Sequence, residues 1–312
     1  MDLSKTATDI RGFSAPSLFY SSAREGMEDL LRGVVNDSGR RVLLPAYIGW
    51  SPREGSGVFD PIRNLGLAYQ LYPVNSDLSA QVGAVKEQLM SGDVAVVVLI
   101  HYFGRTDPGT REIAEATREA GAVLVEDLAH GFFSDRLGHR AGRHGDVNLY
   151  SLHKMFPMAD GGMLQYTNPE LISDQIATRP ELSRVILDYN WQAIAAARVR
   201  NFTLAVEQFR RLPSCGDSFE LVWETLEGGD VPQTLPLRII RGSRDELYSL
   251  LNDKGVGMVS LYHTLIAEAR GAFEEVDRNS RQFINFPVHQ DIDPNQVSDA
   301  VQLFGEVLAQ LT

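Results

Sequence analysis

The sequence predicts an α/β protein in which a large first domain, residues 1–213, carries a mostly parallel sheet and a smaller C-terminal α+β domain, residues 214–312, follows it. Three observations predict this. Over the first two-thirds, strand-like and helix-like segments alternate, the order that builds parallel β-α-β units. Val94–Ile100 is an unbroken apolar run, as a strand covered on both faces requires. After Leu212-Pro213 the alternation stops, and a short polar linker leads into a different, strand-richer pattern.

The elements follow in order. Ser22 and Glu25 stand at capping-box spacing ahead of a helical face formed by Met27, Leu30, Leu31, Val34 and Val35. Val42-Leu43-Leu44 reads as a short buried strand ended by Pro45. After the apolar run comes a helix over 110–120 that stops at Gly121, then a buried strand over 122–125 with Glu126-Asp127 at its carboxyl end. A strand over 147–150 leads into Leu152-His153-Lys154, and a long Ala- and Arg-rich helix runs from Trp191 to Arg211. In the second domain, strands are expected near 220–223, 235–240 and 283–286, with a helix over 244–251. The last helix has Asp293 as N-cap and Pro294 at its first position, with an apolar face of Val297, Ala300, Val301, Phe304, Leu308 and Leu311.

Composition excludes several classes of function. A length of 312 residues, 44% hydrophobic, is enough to bury a large core. A formal charge of -12 argues against binding a nucleic-acid backbone. It leaves open one small anion held locally by a helix N-terminus and a few arginines. The single cysteine, Cys215, allows no intrachain disulfide and no CxxC zinc pair, and it reads as a bystander thiol. No apolar run is long enough to span a bilayer, and residues 1–14 lack the basic start and apolar core of a signal peptide. The expectation is a cytoplasmic protein with no membrane contact. No HExxH, Walker loop or Ser/His/Asp order is present.

Ligands of parallel sheets bind beyond the carboxyl ends of the strands, so Asp127 stands where chemistry is expected. Of the four lysines, Lys5 is in a polar terminus, Lys86 has polar helical neighbours and Lys254 ends a helix. Lys154 lies among Leu152, Met155, Phe156 and Pro157, where desolvation would lower its pKa and favour the nucleophilic amine. Local composition alone fits a surface loop lysine equally well. Glu126-Asp127 alone would also fit an N-cap pair or a metal ligand. Together, a carboxylate at the end of one strand and an amine just past another are what pyridoxal phosphate (PLP) chemistry needs. The lysine forms the imine and shuttles a proton, and the carboxylate keeps the pyridine nitrogen protonated.

Several segments carry a family resemblance. They are Val125-Glu-Asp-Leu-Ala-His130, Gly145-Asp146, Tyr150-Ser-Leu-His-Lys154 and Asp160-Gly161-Gly162. Leu44-Pro-Ala-Tyr47, His101-Tyr-Phe-Gly104 and Phe286-Pro-Val-His-Gln-Asp291 add to them. The chain resembles the DegT/StrS aminotransferases of PLP fold type I, the aspartate aminotransferase-like fold. The resemblance implies that Lys154 holds PLP as a Schiff base, Asp127 pairs with the pyridine nitrogen, and His130 contacts the ring hydroxyl region. A cap on the following turn is the alternative for His130. It also implies that Ser151 hydrogen-bonds the phosphate, and that Ser22, Ala23 and Arg24 cradle it at a helix start, where a plain helix cap is the alternative. Trp50 would supply the ring-stacking aromatic, unless Phe59 does or Trp50 is a core residue, because Gly49 stands near the family's aromatic position. Asn190, in Asp188-Tyr-Asn-Trp-Gln192, would reach the phosphate across a homodimer.

Departures from the family pattern are local. The stretch from Ser151 to Lys154 is two residues shorter than the usual form, and residues 167–188 are abbreviated. Residues 54–61 form an insertion whose Gly-Ser-Gly run fits a phosphate loop or a flexible turn. The implied activity is amino transfer from a small amino donor to a keto-sugar or another small carbonyl acceptor. The alternatives are another PLP outcome, such as a lyase, decarboxylase or bond-forming enzyme, and a non-catalytic regulatory relative. Retention of Lys154 speaks against the last.

Overall fold

The computed structural model describes residues 13, 15–35, 39–172 and 177–312. Lys5, most of the 1–14 segment and part of the 167–188 stretch lie outside the described residues.

The chain lays down β1 (Ser17–Tyr20), α1 (Ala23–Val34), β2 (Arg41–Pro45), α2 (Asp60–Asn64), β3 (Tyr69–Tyr72), α3 (Val82–Leu89) and β4 (Val94–Ile100). It continues with α4 (Thr110–Glu119), β5 (Val123–Asp127), α5 (Phe132–Arg136), β6 (Val147–Ser151), β7 (Gly162–Tyr166), α6 (Leu182–Leu187) and α7 (Trp191–Arg211). These strands form one seven-stranded sheet in the order β1-β7-β6-β5-β4-β2-β3. From β3 to β6 every pairing is parallel, whereas β7 runs antiparallel to both β6 and β1. This is the α/β architecture the alternation predicts.

The sheet is covered on both faces, which is why its central strands are apolar without a break. Val42, Leu44, Val96, Val98 and Ile100 face one core, and Leu43, Val97 and Leu99 the other. The alternation slips at the start of β4, where Ala95 and Val96 share a face. There the β2–β4 register shifts between Arg41 and Val42, a bulge that admits one extra residue. α1 buries Met27, Leu30 and Leu31, as its periodicity predicts. Its N-cap is Ser22, whose Oγ accepts from the Glu25 N–H at 3.1 Å. The Glu25 carboxylate answers one residue early, accepting from the Ser21 N–H at 2.9 Å.

The C-terminal part holds β8 (Phe219–Leu221), β9 (Thr234–Ile239), α8 (Arg244–Asp253), α9 (Glu274–Gln282), β10 (Phe283–Pro287) and α10 (Pro294–Leu311). Its antiparallel sheet, in the order β10-β9-β8, packs on α10 and α7 through Phe219 and Phe286 of the sheet, Phe304 of α10 and Phe209 of α7. Edge-to-face pairs 5.0–5.6 Å apart join these rings. α7 belongs to both parts. Ile194 and Ala195 pack with Phe132 and Phe156, while Phe202, Ala205, Val206 and Phe209 enter the second core. The N-cap predicted at Asp293 is present, and the structure adds a full capping box, with Gln296 returning a bond to the Asp293 N–H.

Sequence reasoning did not place β1, β3, β7, α2, α5, α6 or α9. β1 and β3 are four-residue edge strands, and β7 begins with a glycine, so none has a strong pattern of its own.

Candidate active site

A cavity of about 440 Å³ opens where β5 and β6 end, beside the start of α1. Ser22, Ala23, Arg24, Asp127, Ser151 and Lys154, all named from sequence, line it. A roomier open groove of about 640 Å³, between α7 and residues 224–231, contains neither Asp127 nor Lys154. The smaller cavity is therefore the one with reactive groups in its walls.

Local structure places each group. Asp127 is the last residue of β5, buried, and its Oδ1 accepts from the Ala129 N–H at 2.9 Å. Lys154 closes the single 3₁₀ turn that follows β6 directly, so the shortened path from Ser151 still delivers the amine to the cavity. The glycine pair before β7 has a steric reason. A Cβ on Gly162 would lie 2.3 Å from both Ala23 N and Ser22 C, so only glycine lets β7 pass against the start of α1. The first N–H groups of α1, which have no intrahelical partner, thereby line the cavity wall.

His130 is fully buried beside the lysine, with Nε2 3.1 Å from Lys154 Nζ. Its Nδ1 accepts from the Phe103 N–H at 3.2 Å, so the proton of the neutral ring sits on Nε2. An N–H facing the amine needs a lone pair there, which only the neutral form of Lys154 offers. Electrostatics agree. Burial pushes the Lys154 amine below the usual lysine range, against the pull of Asp127 and Glu54. Burial and the nearby Lys154 and His153 charges hold His130 well below the usual imidazole value. Burial raises Asp127 above the ordinary carboxylate value, while the Ala129 N–H, Lys154 and His101 act to lower it.

Glu126, its neighbour, points elsewhere and is structural. Its oxygens accept from His101 Nε2 at 2.7 Å and from the N–H groups of Gly142, His144 and Gly145 at 2.7, 2.8 and 2.6 Å. Burial alone would raise its pKa, but these donors hold it at about 2. His101 is thus committed to Glu126 and, through Nδ1, to the Asp107 N–H, and it does not line the cavity. Among the described residues no cluster of His, Cys, Asp or Glu is arranged to hold a metal ion.

Of the residues named from sequence, His130 sits behind Lys154 outside the cavity lining, and two stand apart from it altogether. Trp50 is 38% exposed and does not line the cavity. Asn190 caps α7, accepting from the Ala193 N–H at 3.0 Å, and does not line it either. Phe59 is turned into the core against Tyr69. In their place the cavity gains Arg53, Glu54, residues 55–57, His153 and Tyr262. Residues 55–57 were visible as a Gly-Ser-Gly run, and Asp60 braces them by accepting from the Ser56 N–H at 3.0 Å. Tyr262 had no local signal. Its φ of 59° lies in the left-handed region, at a cost of about 1–3 kcal/mol for a non-glycine residue.

Residues 59–181 match the model of the DegT/DnrJ/EryC1/StrS aminotransferase family. This segment of the chain is DegT/StrS-like. It contains Asp127, His130, Ser151 and Lys154, so the match and the central motifs of the resemblance rest on the same residues, while residues 22–24, 44–47 and 286–291 and Asn190 lie outside it. Within 78 residues the chain is 38% identical to the dTDP-4-dehydro-2,3,6-trideoxy-D-glucose 4-aminotransferase of Saccharopolyspora spinosa. That match spans 24% of this chain and 20% of the relative. Solved structures extend the likeness to the whole fold. The aminotransferase TlmJ from Streptoalloteichus hindustanus superposes with a TM-score of 0.73 at 22% identity, over 95% of this chain and 86% of that one. The PLP form of the sugar aminotransferase Spr1654 from Streptococcus pneumoniae gives 0.75 at 16% identity, over 96% and 88%. The fold is the PLP fold type I of these enzymes.

Proposed function

We propose that the protein is a PLP-dependent aminotransferase acting on a keto-sugar or another small carbonyl acceptor. The observation that carries this reading is that Lys154 and Asp127, from two different strand ends, line one cavity with His130 hydrogen-bonded to the lysine amine. The cavity fits the cofactor's three demands. Lys154 supplies the amine, Asp127 a carboxylate for the ring nitrogen, and the start of α1 with Ser151 supplies donors for a phosphate. PLP, when bound, supplies an electron sink for the substrate's reacting carbon. The protein does the rest. Lys154 would hold the cofactor, and its amine is the base placed to take the substrate's α-proton. His130, donating from Nε2–H to that amine, favours its unprotonated form. Burial raises the Asp127 carboxyl above its ordinary value, and a cation lying against it would favour its charged form.

The acceptor class is supported by the printed name of the Saccharopolyspora relative and by neighbours described as sugar aminotransferases. The reading includes a small amino donor, a cytoplasmic setting and a homodimer in which Asn190, exposed in the single chain, reaches the neighbouring subunit's phosphate group. Borohydride reduction of the purified protein with PLP, followed by peptide mass mapping, tests the core of it. The expected result is one phosphopyridoxyl adduct, on Lys154, lost in Lys154→Ala together with turnover. An adduct elsewhere, or none, would remove the proposal. Conversion of the loaded protein to its amine form by added glutamate separates amino transfer from other PLP outcomes.

A further inference from the structure

Resting on that reading of the cavity, we infer that Tyr262 is the aromatic platform on which the cofactor ring stacks, and that position 49 is glycine because the Tyr262 ring occupies the volume of its side chain. The chain lays the segment around 262–266 directly along 48–50. Trp50 N–H donates to Thr264 O at 2.9 Å, Ile266 N–H to Ile48 O at 3.0 Å, and Gly49 bridges to Leu265. A Cβ added at Gly49 would meet Tyr262 Cδ1 at 2.7 Å and Tyr262 Cα at 3.1 Å. Both residues line the cavity, so the aromatic surface at this wall comes from Tyr262 and from no side chain at 49.

The ring is held as a platform would be. Tyr47, Tyr102 and Phe103 pack against it with centroids 5.1, 5.6 and 6.0 Å away, the range of tilted and edge-on aromatic contacts. These three rings hold the tyrosine in place by aromatic packing. Burial first, then the Asp127 carboxylate, raises the phenol well above its ordinary value. The ring is therefore neutral and lies within reach of the field of Asp127, the group assigned to the ring nitrogen. Trp50, the aromatic that sequence position favours, faces solvent instead.

The experiment is PLP affinity and near-visible circular dichroism of the loaded full-length protein, read for Tyr262→Leu, Tyr262→Phe and Gly49→Ala, with thermal unfolding of each cofactor-free variant as the folding control. Tyr262→Leu should weaken PLP binding by roughly three- to tenfold and reduce the induced dichroism, whereas Tyr262→Phe should stay within about twofold of the parent. Gly49→Ala leaves the tyrosine in place but displaces its ring, and it should weaken binding in the same way. Full affinity and unchanged dichroism in Tyr262→Leu and Gly49→Ala, with the Lys154 adduct present in the parent, would overturn the platform alone. Loss of affinity in Trp50→Ala instead would move the role to Trp50. A parent protein that forms no Lys154 adduct defeats the site reading, and the platform with it.

Discussion

At the scale of single residues, the chemistry turns on where one proton sits. The Phe103 N–H occupies His130 Nδ1, which fixes the tautomer and turns an N–H toward Lys154. Phe103 makes that bond from a left-handed backbone, with φ of 54°, so the hydrogen bond is set by main-chain geometry rather than by a flexible side chain. Removing the donor should raise the lysine pKa, because the neutral amine loses its only hydrogen bond to a ring N–H. In His130→Phe, PLP uptake near pH 7 is expected to slow by about tenfold, the effect of roughly one pKa unit. The sign is that the defect shrinks as pH rises, since Lys154 then loses its proton without help. Stopped-flow absorbance across pH reads this. A uniform slowing at every pH would assign His130 a purely steric part. His101 repeats the pattern one strand away, Nδ1 on the Asp107 N–H and Nε2 on Glu126, but there the partner is a structural carboxylate.

At the scale of elements, the site depends on close approach between a strand and a helix start. β7 reverses direction against β6 and passes under Ser22 and Ala23, which is possible only because Gly162 has no side chain. Gly162→Ala would place a methyl against backbone atoms that cannot rotate away. Its expected cost is about 1–3 kcal/mol of stability, seen as a lower urea midpoint, together with weaker PLP binding as α1 is pushed off the cavity. An unchanged midpoint and affinity would show that α1 and β7 can separate freely. Glu126 acts at the same scale from the other side, tying residues 142–145 to the end of β5 and so fixing the strand that carries Asp127.

At the scale of the whole molecule, the cavity is built from distant parts of the chain. Tyr262 comes from the C-terminal part, Lys154 and Asp127 from the sheet, and Arg24 from the first helix. α7 joins the two cores along one continuous helix, so the second core is held firmly to the first at its base. Asn190 caps that helix on an exposed surface. If the homodimer exists as proposed, sedimentation should give twice the 34.6 kDa chain mass, and Asn190→Ala should weaken PLP binding without dissociating the dimer. A monomer that binds PLP with full affinity would remove Asn190 from the site.

Sequence by itself determined the elements whose evidence is local. Val94–Ile100, Trp191–Arg211 and the Asp293 cap follow from burial period and cap chemistry that act within a few residues, and the structure places them at those positions. It also singled out Lys154 and Asp127, but only as a pair and through the family resemblance, because each alone fits a plain structural role equally well. Tertiary structure alone decided which of these groups meet. The short edge strands, the tautomer of His130 and the ring of Tyr262 over Gly49 all depend on contacts between residues far apart in the chain. Such contacts are set by packing of the whole core, which leaves no periodic trace in either partner's own segment.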